Sequence, residues 1–207
     1  MPPAKYFVFN LLGVLIPAIF ASAYSFAQED AETAHIAVEN PADLSMDEAN
    51  KIYDALKQML ADGYAPAKMD LIENYQSWKR YNSAPYLSAT HGQRFVNSYA
   101  NELGGNYGQL KPGETYPEGT VFAKDTITVT DEGKNFPGAM FIMEKLASGS
   151  NPDTADWRYI MVIPDGSIFG DTTGDEPELV EYCHACHEAR ADDDYVFYVP
   201  EEFRISK

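Results

Sequence analysis

The sequence predicts an α+β domain, an antiparallel β-sheet meander with flanking helices. Two observations carry that prediction: a capped amphipathic segment early in the chain, and a change to two-residue alternation after residue 119. Three runs rich in β-branched and aromatic residues, Gly119 to Thr130, Ala139 to Leu146 and Trp157 to Pro164, are separated by turn-rich linkers, which suits a meander. Alternation puts Phe122, Lys124 and Thr126 on one face of the first run, and Met140, Ile142, Glu144 and Leu146 on one face of the second.

The helical part comes first along the chain. Ser45 followed by Glu48 is a capping-box signature, and Met46, Ala49, Ile52, Leu56, Met59 and Leu60 recur at helical spacing until Gly63. A helix over about Ser45 to Ala61 follows. A second helical stretch is expected around Lys68 to Tyr81, where Leu71, Ile72, Tyr75 and Trp78 share a face, and a third around Gln93 to Glu102. Gly, Pro and Asn mark Gly104 to Gly119 as a loop, and the acids Asp192 to Asp194 read as a solvated loop.

The first 27 residues are set apart from this domain. Lys5 precedes the apolar run Tyr6 to Phe20, and small residues at Ala21-Ser22-Ala23 or Ser25-Phe26-Ala27 offer a cleavage site, the pattern of an export signal. The run is shorter than the ~20 residues of a spanning helix and Pro17 interrupts it, so no membrane span is expected after cleavage. The protein is therefore expected in the periplasm, as a signal peptide (1–27), a helical arm (28–66) and a body (67–207). With 15 basic against 32 acidic side chains the chain has the wrong sign for holding phosphates, which excludes nucleic acid as a partner. Its 14 Tyr, 11 Phe and 2 Trp supply apolar surface enough to fold, so the acidity is not that of a disordered tail.

The chemistry lies near the C-terminus. Cys183-His184-Ala185-Cys186-His187 is a C-x-x-C-H motif, whose thiols can bond the haem vinyl groups while His187 ligates the iron; these are the only two cysteines. A thioredoxin-type disulfide or a structural zinc site would use the same thiols. The first needs a βαβ setting that the pattern lacks, and the second needs a fourth ligand as distant as His35 or His91. His184, inside the motif, is read as a neighbour of the iron site and not a ligand. Only 20 residues follow His187 and none is Met, so no downstream thioether closes the sixth position. A five-coordinate iron with an open distal face follows.

These elements resemble the cytochrome P-460 family: an exported domain with a C-terminal C-x-x-C-H, a strand of the form Gly119-Thr120-Val121-Phe122-Ala123-Lys124, and a later strand beginning Trp157-Arg158-Tyr159. Tyr75 to Asn82 (YQSWKRYN) and Thr90-His91-Gly92 are similar too, so the likeness covers about Tyr75 to Arg204. It implies covalent haem c and a second covalent link, from the amine of Lys124 to a meso carbon of the haem. It also implies oxidation of hydroxylamine to nitric oxide or nitrous oxide, and a homodimer; a redox partner cytochrome is a separate expectation, since the acidic charge that could steer a basic partner is equally the composition of a saline habitat. The c-prime beta cytochromes share the fold, lack the lysine bond and bind nitric oxide or carbon monoxide.

Read on their own, the candidate residues have plainer alternatives. Lys124 also reads as a solvated strand lysine, Glu144 as a surface ion-pair member, and His91 as a hydrogen-bonded structural histidine. With the resemblance, Glu144 is the candidate base for protons released by hydroxylamine, its pKa raised by an apolar strand, and His91 a candidate distal proton relay. Arg158 is placed to serve a haem propionate. Three functions follow: a haem oxidoreductase acting on hydroxylamine or nitric oxide, a gas-binding cytochrome, and an electron carrier.

Overall fold

The computed structural model of the protein describes residues 37–205; the expected signal peptide and His35 lie outside the described residues. Helix α1 (Met46–Tyr64) begins at the expected capping box: the Glu48 amide donates to Ser45 Oγ, and the Ser45 amide donates back to Glu48 Oε2 at 2.9 Å. The helix runs past the expected stop at Gly63. A side chain there would meet the Pro164 carbonyl at 2.4 Å, so this glycine serves close approach of the helix to a strand end and not helix termination.

Eight strands form one antiparallel sheet: β1 (Lys79–Arg80), β2 (Tyr86–Ser88), β3 (Arg94–Ala100), β4 (Val121–Val129), β5 (Asn135–Pro137), β6 (Met140–Lys145), β7 (Trp157–Val162) and β8 (Ile168–Asp171). The order is β1-β3-β4-β6-β7-β8, with β2 pairing β3 and β5 pairing β4. The three alternating runs are thus β4, β6 and β7. A short helix α2 (Glu181–His187) follows β8.

Two expected helices are replaced. The 68–81 stretch forms single 3-10 turns at Asp70–Ile72 and Tyr75–Ser77 before entering β1, after Lys68 takes a left-handed conformation with φ 51°. The 93–102 stretch is strand β3. Every residue of β3 is buried, because helix and 3-10 turns cover one face and the C-terminal segment the other. A strand buried on both sides loses the alternation by which it is recognised, and its Phe95, Val96 and Tyr99 suit a strand.

On one sheet face, Tyr53, Leu56, Leu60 and Tyr64 of α1 pack against Phe95, Tyr99, Val121, Ala123, Ile127, Met140, Ile142 and Ile160. Within this layer lies the fully buried Asp125, accepting from Tyr53 Oη at 2.7 Å, Tyr75 Oη at 3.0 Å and Asn97 Nδ2 at 3.1 Å. The N-terminal helix is therefore a layer of the main core, on the face opposite Phe122 and Lys124. Leu60 is wholly inaccessible. Leu60→Ala is expected to destabilise the fold by about 2–5 kcal/mol, read as a lower urea midpoint at unchanged slope.

Candidate functional site

On the opposite face, Phe122 and Lys124 of β4, Phe141 and Met143 of β6, and Tyr159 of β7 form the wall of a cavity of about 480 Å³. This size is within the range of small-molecule and cofactor sites, roughly 300–1,000 Å³. Cys183, Cys186 and His187 of α2 and the segment Val196–Pro200 face it, and Leu87 and His91 complete the rim. Seven residues is a short helix, and what fixes it is its neighbours: Val180 just before it is fully buried, and Cys183 packs against the clusters around Trp157 and Met161. Cys183 is partly buried and Cys186 exposed, both as free thiols. Burial pushes the Cys183 thiol up to about 11.

His187 is buried between the Tyr159 and Phe197 rings, at 5.5 and 5.2 Å between centroids. Its Nδ1 lies 2.6 Å from the Tyr195 carbonyl. A carbonyl only accepts, so Nδ1 carries the proton and Nε2 keeps its lone pair, the tautomer a metal ligand requires. Burial, and then the nearby Lys124 charge, lower its pKa to about 4, so the ring is neutral at physiological pH. His184 is turned away from the cavity, stacked on the Tyr195 ring at 5.2 Å and 3.6 Å from Glu188, in keeping with its reading as a neighbour.

Lys124 projects into the cavity from the middle of β4. Burial pushes its amine down to about 8, partly offset by the thiols, so an appreciable share is uncharged and nucleophilic near neutral pH. His91 sits in the rim with Nδ1 bonded to Ser88 Oγ at 2.7 Å and its ring edge-on to Phe141 at 4.8 Å. Half-buried by surface area, it is nonetheless enclosed by the cavity walls; burial, then the charge of Lys124, hold its pKa well below the usual imidazole value.

Glu144 is not brought to this cavity. In β6 it is in phase with Met140 and Ile142, the helix-facing set, and in register with Val121 and Arg158. Its Oε2 accepts from Arg158 Nη1 at 2.9 Å, and Arg158 also pairs with Asp171. The expected base and the expected propionate partner thus neutralise each other on the far face; the two-residue strand period that put Lys124 in the cavity excludes them. The expected solvated loop at Asp192–Asp194 also needs correction, because Asp194 is buried and ion-paired to Lys145 at 2.7 Å. The Tyr195 carbonyl and this ion pair left no mark in the sequence pattern, since one is a backbone atom and the other joins residues 49 apart.

Two thiols beside an imidazole with a free Nε2, on a cavity lined by the apolar Phe122, Phe141, Met143 and Tyr159, fit a covalently attached haem in every donor it needs. The class these features define is a haem-c cytochrome with C-terminal attachment. The family model for cytochrome P460 matches residues 72–198, well over half of the chain, and the protein belongs to that family. No curated protein matches the sequence. Among the described residues, no helix is long and apolar enough to cross a membrane.

Proposed function

We propose that the protein is an exported mono-haem cytochrome that oxidises hydroxylamine, with nitric oxide or nitrous oxide as product. The observation that carries this reading is the position of the Lys124 amine, in the same cavity as the Cys183 and Cys186 thiols and the His187 ring. A bound haem c supplies an iron centre that takes electrons from a small nitrogenous ligand. Cys183 and Cys186 hold the group by thioethers, and His187 offers Nε2 to the metal while its Nδ1–H is anchored to Tyr195. Lys124 supplies the amine of the second link, whose formation removes one N–H and one C–H hydrogen as two protons and two electrons to an added oxidant such as peroxide.

His91 accepts a proton as the substrate loses electrons. Its resting ring is neutral; donation of Nδ1–H to Ser88 Oγ would leave the Nε2 lone pair to take that proton, and burial with the Lys124 charge makes the ring a transient acceptor that passes the proton on. The Phe141 ring packs edge-on against it and covers it from one side. A second reading, a nitric oxide-binding cytochrome without turnover, is favoured by one observation. Among the described residues no carboxylate lines the cavity, because Glu144 faces the other way.

Peptide mapping of the haem-loaded protein by mass spectrometry separates the readings. Hydroxylamine oxidation predicts a haem joined to both the Cys183–Cys186 peptide and the Lys124 peptide, lighter than their sum by the hydrogens lost, and Lys124→Leu removes the link and the turnover together. Haem on the cysteine peptide alone, with nitric oxide bound and no turnover, selects the second reading. Absence of haem from Cys183 and Cys186 overturns both.

A further inference from the structure

We infer that the buried Lys145–Asp194 ion pair is a positioning device for His187, acting through the Tyr195 carbonyl. The inference rests on His187 being the iron ligand, as proposed above. Asp194 and Tyr195 both adopt left-handed backbone, with φ 50° and 65°. Two such residues in succession are unusual outside glycine, least expected for a bulky Tyr, and they turn the chain so that the Tyr195 carbonyl points back at His187 Nδ1. Something must hold this turn against relaxation.

The surrounding contacts converge on Asp194. Lys145 Nζ donates to Asp194 Oδ1 at 2.7 Å, the Tyr116 amide donates to Asp194 Oδ2 at 2.8 Å, and Trp157 Nε1 donates to the Asp194 carbonyl at 2.9 Å. Lys145 is itself fixed by the Ala155 carbonyl at 3.0 Å and lies over the Trp157 ring at 4.7 Å. The side chains of Lys145 and Asp194 are only 9% and 3% exposed. Burying an ion pair this deeply is a poor way to gain stability, since desolvation offsets the attraction, but an unpaired partner would be strongly disfavoured, so the pair fixes geometry. It ties β6 and β7 to the turn that orients the imidazole.

A firmly held carbonyl acceptor on Nδ1–H makes the imidazole a stronger donor to the metal and favours the ferric state. Lys145→Met combined with Asp194→Leu replaces the pair by apolar groups of similar volume, an exchange that often preserves stability. In the haem-loaded double variant the iron–histidine stretching frequency of the ferrous form is expected to fall. The redox equilibrium should move about tenfold toward ferrous, about 59 mV for one electron. Lys145→Met combined with Asp194→Asn, which keeps an acceptor for the Tyr116 amide but not the ion pair, should leave most of both shifts in place. Trp157→Phe, which removes the indole N–H together with part of a buried ring that packs on Phe122 and Lys145, should give a smaller shift in the same direction, and it provides the measurement if the double variant does not fold. A double variant, or Trp157→Phe where the double variant fails, with native frequency and potential overturns the positioning role. A wild-type protein without an iron–histidine band overturns the ligand assignment beneath it, a separate result.

Discussion

Replacing Cys183 and Cys186 together with serine is expected to abolish covalent haem: after acid denaturation and solvent extraction, the polypeptide should carry no haem, where the wild type keeps all of it. The two thiols are the only cysteines in the chain, and both face the cavity. Serine fills nearly the same space, so the loss would reflect chemistry and not packing. The single variants should differ. Cys183 is packed against the clusters around Trp157 and Met161, and burial keeps it as the thiol, whereas Cys186 is exposed. Cys186→Ser should therefore keep its fold and one thioether, while Cys183→Ser also places a hydroxyl against apolar neighbours and should lower the melting temperature. Equal haem retention in the double variant and the wild type would refute the attachment.

The second large effect concerns pH and Asp125. Burial, opposed by hydrogen bonds from Tyr53, Asn97 and Tyr75, raises its pKa from the ordinary 3.8 to about 6. The folded state thus holds a proton that the unfolded state releases between these values. A raised carboxyl pKa contributes stability that is fully present below pH ~4 and is lost as pH rises through ~6. About two pH units at about 1.36 kcal/mol each correspond to about 3 kcal/mol. Asp125→Asn cannot titrate. The difference in unfolding free energy between wild type and variant should therefore drift by about 2.4 kcal/mol of this between pH 4 and pH 7, against the wild type at the higher pH. Comparing the two proteins cancels groups they share, including the neutral His91 and His187. Parallel profiles would show that Asp125 titrates normally.

How far the sequence discloses this molecule depends on whether a feature is periodic, local or long-range. The capping box of α1 and the alternation of β4, β6 and β7 are local patterns, and the structure contains all of them. Strand β3 reads as helical in sequence because its apolar residues Phe95, Val96, Tyr99 and Ala100 recur at helical spacing, while the polar Asn97 and Ser98 between them are buried as well. The Cys183-to-His187 spacing is a chemical motif and is legible outright. The strand period sets Lys124 in phase with Phe122, and the two share the cavity wall. The same period groups Glu144 with Met140 and Ile142, but which face that set takes relative to Lys124 is fixed by the pairing of Lys124 with Phe141, a register between strands that the period within either strand does not determine. The Tyr195 carbonyl and the burial of Asp194 had no such signal, because they arise from a reversed turn and from partners distant in sequence.

Strand β4 carries an amine and an acid side by side, Lys124 toward the cavity and Asp125 toward α1, and the strand's pleat alone keeps them apart. A single-residue insertion or deletion ahead of them would transpose the pair, setting a carboxylate against the cofactor site and an ammonium among Tyr53, Tyr75 and Tyr99. Point substitution at Lys124 can thus alter the chemistry of the site while the helix-side core stays intact, whereas any length change in this strand damages both at once. Natural variation in the segment Val121–Asp125 should accordingly be confined to replacements, with length changes accommodated in the loops on either side.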